Sequence, residues 1–242
     1  MQVIPIKIKH EIEENENLVN LIKNFKPAIE DGDILIVSQK IISKMEGRLI
    51  HLNSVIPSLL AVGIASSYDK DPKLVQIILS ESKRIIRMEN GILIVETNLG
   101  YVCANAGVDE SNIEKGFAAL LPKNPDESAR KLRGEVLSAT GKNIGIIISD
   151  TFGRPFRMGQ TDCAIGVSGL DPIIDYAGKK DSFGKTLRVT AIAIADELCS
   201  AAELVRGKTQ NCPFAIIRDL KYEQTDGNSS GLIRKENEDL FR

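Results

Sequence analysis

Short apolar runs and helical patterns alternate along this chain, but not in the regular strand–helix–strand order of a doubly wound fold. The apolar runs at 34–37, 146–149 and 214–217 are typical of buried strands. The segments 129–137 and 197–205 carry apolar residues at helical spacing. Because strands and helices mix without a regular order, the sequence predicts an α+β fold with a mixed sheet rather than a Rossmann fold.

Turn signals predict three further segments. Asn90-Gly91, the dipeptide most typical of tight hairpins, predicts a three-stranded meander over 84–104. The glycine-rich stretch 153–184 predicts an irregular backbone. The segment 187–194 alternates in the manner of a strand.

The length of 242 residues suffices for one large domain or two small ones. Two prolines within 121–126 mark the best internal break. We therefore treat residues 1–242 as a single unit, with room for two intertwined subdomains that meet at this break.

Composition narrows the classes of function. The chain carries 31 Lys+Arg against 33 Asp+Glu, a formal net charge of −2. Nucleic acids and anionic membranes attract proteins with a basic excess, so neither is expected as a partner. Two histidines are too few for a histidine-rich zinc site, and the lack of a Cys-x-x-Cys motif argues against structural zinc and disulfides. Since no apolar run approaches the ~20 residues of a membrane span, we expect a cytoplasmic protein.

Gly-Lys-Thr occurs twice, at 184–186 and 207–209, which invites a P-loop interpretation. That motif needs another glycine five residues before the glycine of the triplet. Lys179 and Ala202 occupy those positions, so both candidates fail. Any nucleotide would therefore be bound outside the P-loop framework.

Two carboxylates follow predicted strands. Asp109 comes just after the meander, and Asp150 is predicted to end the strand at 146–149. Carboxylates at strand ends are well placed to bind Mg²⁺ or Mn²⁺, which favour a few carboxylates together with substrate phosphates. The alternative is that each aspartate only caps a turn, because aspartate readily bonds its own backbone there.

Basic residues near these acids could bind anions. Arg154 and Arg157 lie among glycines, where they suit phosphate or carboxylate groups, or else belong to a solvated loop. Lys40, Lys44 and Arg48 recur every four residues and would share one face of a helix. That face could meet phosphates, although such stripes are more often solvated.

Five long stretches between about residue 31 and the C-terminus carry a family resemblance. They are DGDILIVSQKIISKMEGR, VCANAGVDESN, GIIISDTFGRPFRMGQTDCAIGVSG, GKKDSFGKTLRVTAIAIADELCSAAELVRGK and RKENEDLF. These stretches resemble the coenzyme F420-0:L-glutamate ligase family, which adds glutamate to a deazaflavin cofactor precursor.

The resemblance implies a two-domain α+β homodimer with a metal and nucleotide site. Asp109, Asp150 and Thr151 match the ligands of a divalent metal, Mg²⁺ or Mn²⁺. The positions matching nucleotide-contacting residues or their neighbourhood are Gln39, Lys40, Lys44, Asn112, Gly207, Lys208, Thr209 and Gln210. Whether K⁺ assists is left open.

The implied activity is GTP-dependent ligation of L-glutamate to the precursor F420-0. GTP would phosphorylate the terminal carboxylate of the precursor, giving an acyl phosphate and GDP. The α-amine of glutamate would then form an amide and release phosphate, and a second glutamate would join through the γ-carboxylate of the first. No side-chain nucleophile is required, and the sequence offers no convincing one.

Two departures from the family pattern keep alternatives open. Members usually carry Gly-Leu-Pro after the first strand, where this chain has Lys9-His10-Glu11-Ile12. Some members have an acid at the position of Lys208, and a charged lysine cannot ligate a metal. Either another group replaces that ligand, or Lys208 contacts phosphate. The alternatives are a related ligase with a different acceptor or with ATP, and a catalytically silent paralogue that binds nucleotide or deazaflavin.

Overall fold

A five-stranded mixed sheet forms the centre of the computed structural model, which describes residues 1–111 and 113–239. The helices are α1 Leu18–Lys23, α2 Gln39–Met45, α3 Leu59–Tyr68, α4 Pro72–Ser80, α5 Pro125–Thr140 and α6 Ile194–Arg206. The strands are β1 Gln2–Ile6, β2 Ile34–Ser38, β3 Leu49–His51, β4 Ser82–Glu89, β5 Ile92–Thr97, β6 Val102–Ala104, β7 Phe117–Ala119, β8 Gly145–Arg154, β9 Arg157–Ser168, β10 Ile174–Asp175, β11 Ala191–Ile192 and β12 Phe214–Arg218.

The strands of the main sheet lie in the order β1-β12-β2-β8-β9. β2 and β8 run parallel, whereas the other neighbouring pairs are antiparallel. Leu35 and Val37 of β2 pack against α1 and α5, and Ile34 and Ile36 pack against α6 on the opposite face. Burial on both faces explains the continuous apolar runs, and the predicted α+β class with a mixed sheet is confirmed.

The connection from β2 to β8 carries smaller sheets and two helices. β4, β5 and β6 form an antiparallel sheet, which confirms the predicted meander. Asn90 and Gly91 make its first turn with positive φ angles of 51° and 75°. α3 and α4 pack around Leu93 and Val95, and β3 pairs with β7. The division into two subdomains near 121–126 stays a prediction.

The two long helices end where their sequences predict, and α6 begins at Ile194, three residues before its predicted start. The Asn124 side chain accepts a hydrogen bond from the Glu127 backbone N–H (3.2 Å), with Pro125 at the first helical position of α5. Gly141 ends that helix in the left-handed region, with φ of 71°. α6 also ends at a glycine, Gly207, with φ of 60° and an extended ψ of −176°. The helices predicted over 129–137 and 197–205 are therefore confirmed.

The β8–β9 hairpin corrects two predictions. The strand predicted to end at Asp150 continues to Arg154 and turns into β9. The segment 153–184, predicted to be irregular, therefore contains β9, a strand of 12 residues. At Gly166 a Cβ atom would lie 2.6 Å from the Pro125 backbone. This glycine allows α5 to approach the sheet, a packing role that its composition alone does not distinguish from a flexible loop.

The strand predicted over 187–194 is also wrong. Only Ala191–Ile192 forms a strand, paired with β10. The preceding residues instead bond to a nearby turn, as when the Leu187 backbone N–H donates to the Lys179 carbonyl (2.8 Å). In the described parts of the chain, no helix is long and apolar enough to cross a bilayer.

Two glycine substitutions test the packing of α5. Gly166→Ala should lower the free energy of unfolding by about 1–3 kcal/mol, because the new methyl group meets backbone atoms that cannot yield easily. Gly134→Ala, within α5 and with no atom within 4 Å of its would-be Cβ, should raise it by up to about 1 kcal/mol. Urea unfolding measures both. Equal effects of the two substitutions would contradict the close approach at Gly166.

Candidate functional site

The β8–β9 hairpin places the central residues of the site on both faces of the main sheet. A register irregularity between Ile148 and Ser149 precedes Asp150, and such bulges often re-aim side chains near functional sites. Asp150 pairs with Cys163, and Thr151 pairs with Asp162. Since neighbouring strand residues point to opposite faces, Thr151 and Asp162 face α6, and Asp150 faces the other way.

Asp150 carries the most perturbed carboxylate of the site. Burial raises its pKa to about 7, and the neighbouring charges of Asp162 and Asp109 act in the same direction. The hydrogen bond from the Thr151 backbone N–H and the charge of Lys40 oppose this shift. Asp150 therefore lies close to other acids without a charge partner strong enough to restore the ordinary carboxylate pKa.

Asp109, in contrast, is held by a lysine. The Lys40 ammonium donates to Asp109 Oδ2 (2.7 Å), to the Ser111 carbonyl (2.6 Å) and to Ser111 Oγ (3.1 Å). The Ser111 backbone N–H also donates to Asp109 Oδ1 (2.8 Å). Burial would raise the pKa of Asp109, but these hydrogen bonds outweigh burial and lower it. Lys40 thus has an acceptor on the protein for each of its three N–H donors.

A buried ion pair lies behind Thr151. Arg206, the last residue of α6, pairs with Asp162, and the two side chains are 5% and 4% exposed. The same guanidinium donates to Ser149 Oγ (2.9 Å). Asp162 Oδ1 accepts from Thr151 Oγ1 (2.6 Å). The pair therefore connects both strands of the hairpin to the end of α6.

Lys208 completes this group from the loop after α6. Its ammonium donates to Thr151 Oγ1 (2.6 Å), Asp162 Oδ1 (2.9 Å) and Glu203 Oε1 (2.8 Å). Burial would lower the pKa of Lys208, but the bonds to Glu203 and Asp162 outweigh it and raise the pKa. The ammonium is therefore charged at neutral pH and surrounded by oxygen atoms.

The predicted cationic stripe is divided among different partners. Lys40 and Lys44 lie on α2, but this helix ends at Met45, so Arg48 is not on the same face. Arg48 instead donates to Glu81 (2.8 Å). Lys44 pairs with the exposed Glu11 (2.5 Å), its one charged partner within residues 1–111 and 113–239.

The remaining predicted residues lie around this centre or apart from it. Gln39 is buried and accepts from Ser43 Oγ (3.0 Å). Arg154 donates to the Met158 carbonyl (2.7 Å) and so closes the hairpin turn, where Arg157 is exposed. The exposed loop after α6 contains Gly207, Lys208, Thr209 and Gln210. Asn112 lies outside the described residues.

The acidic residues fit a divalent cation that takes part of its coordination from a substrate. Among the described residues, no three His, Cys, Asp or Glu side chains are grouped to hold a metal by themselves. Mg²⁺ is nevertheless commonly held by one or two carboxylates plus phosphate oxygens. The raised pKa of Asp150, due first to burial and then to its acidic neighbours, shows a place where a cation would stabilise the charged carboxylate.

Sequence reasoning missed the group of Arg206, Glu203 and Asp162. Asp162 stood out only as one polar residue in a glycine-rich stretch, and the other two read as polar positions of an amphipathic helix. A possible signal is the closing sequence of α6, where an acid, an arginine and a lysine lie at 203, 206 and 208. Their partner is 41 or more positions away in sequence, so local spacing could not reveal it.

Comparison with known proteins identifies the family. Residues 6–219 match the family model described as F420-0:Gamma-glutamyl ligase. The chain belongs to this family. It is 49% identical over 230 residues to the Coenzyme F420:L-glutamate ligase of Methanocaldococcus jannaschii, covering 95% of this chain and 91% of that protein.

Two further relatives of the F420-0:gamma-glutamyl ligase family also cover most of the chain. The Coenzyme F420:L-glutamate ligase of Methanothermobacter thermautotrophicus is 46% identical, over 88% of this chain and 85% of that protein. That of Methanococcus maripaludis is 42% identical over 100% of this chain and 97% of that protein. The resemblance seen in the sequence is confirmed, and the chain is a ligase.

The raised pKa of Asp150 predicts a pH-dependent stability. Between about pH 4 and pH 7 the folded chain keeps a proton on Asp150 that the unfolded chain releases. The free energy of unfolding therefore falls as pH rises through this window. Asp150→Asn removes this effect, so it should raise the melting temperature more at pH 8 than at pH 5, measured in chelator-treated buffer. An equal change at both pH values would contradict the raised pKa.

Proposed function

We propose that this ligase joins L-glutamate to the deazaflavin coenzyme precursor F420-0, with GTP as co-substrate and successive glutamates joined by γ-linked amide bonds. The observation that carries the proposal is the match over nearly the whole chain to relatives that are named as coenzyme F420:L-glutamate ligases. The acidic residues around Asp150, close to Lys40, support it because phosphoryl transfer depends on charge neutralisation and positioning.

The reaction proceeds in two steps. A carboxylate oxygen of the precursor attacks the γ-phosphorus of GTP, the bond to GDP breaks, and an acyl phosphate forms. The uncharged α-amine of glutamate then attacks the acyl carbon, the bond from that carbon to the phosphate oxygen breaks, and the nitrogen loses a proton as the amide forms. Neither step requires a covalent bond to the protein, so the chain acts by binding and orientation.

Asp109 and Asp150 are the proposed carboxylate ligands of Mg²⁺ or Mn²⁺. The hydroxyl of Thr151 lies on the opposite face of the sheet, where it is bonded to Asp162 and Lys208, so a metal role of this residue stays a prediction. When bound, the cation neutralises phosphate charge. Lys40 fixes the carboxylate of Asp109 through the 2.7 Å bond to its Oδ2 atom. The bond from the Ser111 backbone N–H holds the other oxygen, so this carboxylate has one fixed orientation.

The anionic ends of the substrates would meet the basic residues around this centre. Lys44 can exchange its solvent-exposed partner Glu11 for a phosphate, since that carboxylate side chain is 76% exposed. Gln39, Asn112 and the loop residues Gly207, Thr209 and Gln210 are proposed to bind the nucleotide. Arg154 and Arg157 at the hairpin turn are candidates for an anionic substrate group. Homodimer assembly and assistance by K⁺ stay predictions.

Asp150→Asn tests the proposal with little change in shape. In purified protein supplied with GTP, Mn²⁺, L-glutamate and F420-0, the variant should lose about 100-fold or more of the rate of GDP release coupled to glutamate addition. Asp69→Asn, an exposed aspartate after α3, is the matched control and should keep the full rate. Chromatography of the deazaflavin product counts the glutamates added.

The same assay separates the alternatives. Full activity of Asp150→Asn would contradict the metal role of Asp150. Turnover by the unmodified protein with ATP but not GTP would replace the proposed nucleotide. Binding of nucleotide or F420-0 without turnover, in a protein with intact melting behaviour, would contradict the proposed ligase reaction.

A further inference from the structure

Lys208 has no hydrogen-bond donor left for a substrate. A lysine ammonium has three N–H donors and no acceptor. Its three acceptors here are Thr151 Oγ1, Asp162 Oδ1 and Glu203 Oε1, at 2.6, 2.9 and 2.8 Å. We call these three atoms the oxygen cage. An ammonium bound in this way neutralises the protein's own acids instead of reaching out to a phosphate.

The charges around the oxygen cage balance only with this ammonium present. Asp162 and Glu203 contribute two negative charges, and Arg206 contributes one positive charge from its buried position. Lys208 supplies the second positive charge. Without it the cage would carry one unbalanced negative charge. Hard oxygen atoms with a negative charge attract a cation from solution.

We propose that Lys208 is a tethered cation, which permanently fills a position that a dissociable metal ion would otherwise occupy between Thr151, Asp162 and Glu203. The side chain of Lys208 is 56% exposed, so solvent ions can reach the cage once the ammonium is removed. The sequence left two roles open for Lys208, replacement of a metal ligand or direct contact with phosphate. The three bonds of its ammonium favour a role in which it replaces a cation. This inference rests on the proposed ligase reaction, in which Asp109 and Asp150 then bind the dissociable metal ion.

Counting bound metal tests the proposal without nucleotide or activity. Free Mn²⁺ is titrated by electron paramagnetic resonance into wild-type protein and into Lys208→Ala. The variant should bind one more equivalent of Mn²⁺ per chain than wild type. Lys208→Ala combined with Glu203→Gln should lose this extra equivalent, because the cage then lacks a carboxylate. Lys131→Ala, a lysine on the exposed side of α5, should bind as wild type does.

Lys208→Gln serves as a second variant if Lys208→Ala does not fold, because it keeps a polar side chain while removing the charge. It too should gain one equivalent. Equal Mn²⁺ counts in wild type and the folded Lys208 variants would overturn the proposal, as would an extra equivalent that persists with Glu203→Gln. Failure of the metal site at Asp150 would lower every count and leave the difference unchanged, so the two proposals fail distinguishably.

Discussion

The buried pair of Asp162 and Arg206 is the contact on which the arrangement of the site depends. Both side chains are almost fully buried, so removal of Asp162 would leave the Arg206 guanidinium in the interior without a carboxylate partner, at a cost of about 3–5 kcal/mol. The pair fixes β9 to the end of α6, and the bond from Arg206 to Ser149 adds β8. Thr151 and Lys208 owe their positions to this connection, since both bind Asp162 Oδ1.

Around that pair, two acids of the site are each bonded to a lysine, whereas Asp150 is bonded to none of the lysines that the structure describes. Lys40 holds Asp109 and Lys208 holds Asp162 through one donated hydrogen bond each. Each lysine donates its two remaining hydrogen bonds to other oxygen atoms of the protein. Asp150 lies near both acids, and burial together with their charges raises its pKa to about 7. Carboxylates with perturbed pKa values are concentrated at functional sites, because a bound ligand there can supply the positive charge that the protein itself does not provide. Although the net charge of the chain is close to zero, acidic and basic side chains are therefore concentrated at this site.

Much of the fold follows from sequence, and the failures have physical causes. The buried strands around Ile34 and Ile146 carry continuous apolar runs, so they could be predicted. The hairpin beyond Asp150 could not, because glycines that allow close helix packing look like those of a loop. Asp109 and Asp150 were predicted as metal ligands from their positions after apolar runs and from the family resemblance, and this role stays a prediction. The pair of Asp162 with Arg206 was missed, since contacts between distant segments leave no local spacing signal.

In this account, the Lys208 ammonium occupies one cation position and a dissociable metal ion occupies the other. Anomalous X-ray diffraction from crystals grown with Mn²⁺ tests this arrangement most directly. We expect a manganese peak bound by the carboxylates of Asp109 and Asp150, with the Lys208 ammonium still on Thr151, Asp162 and Glu203. A manganese peak between those last three residues, with Lys208 displaced into solvent, would contradict the account.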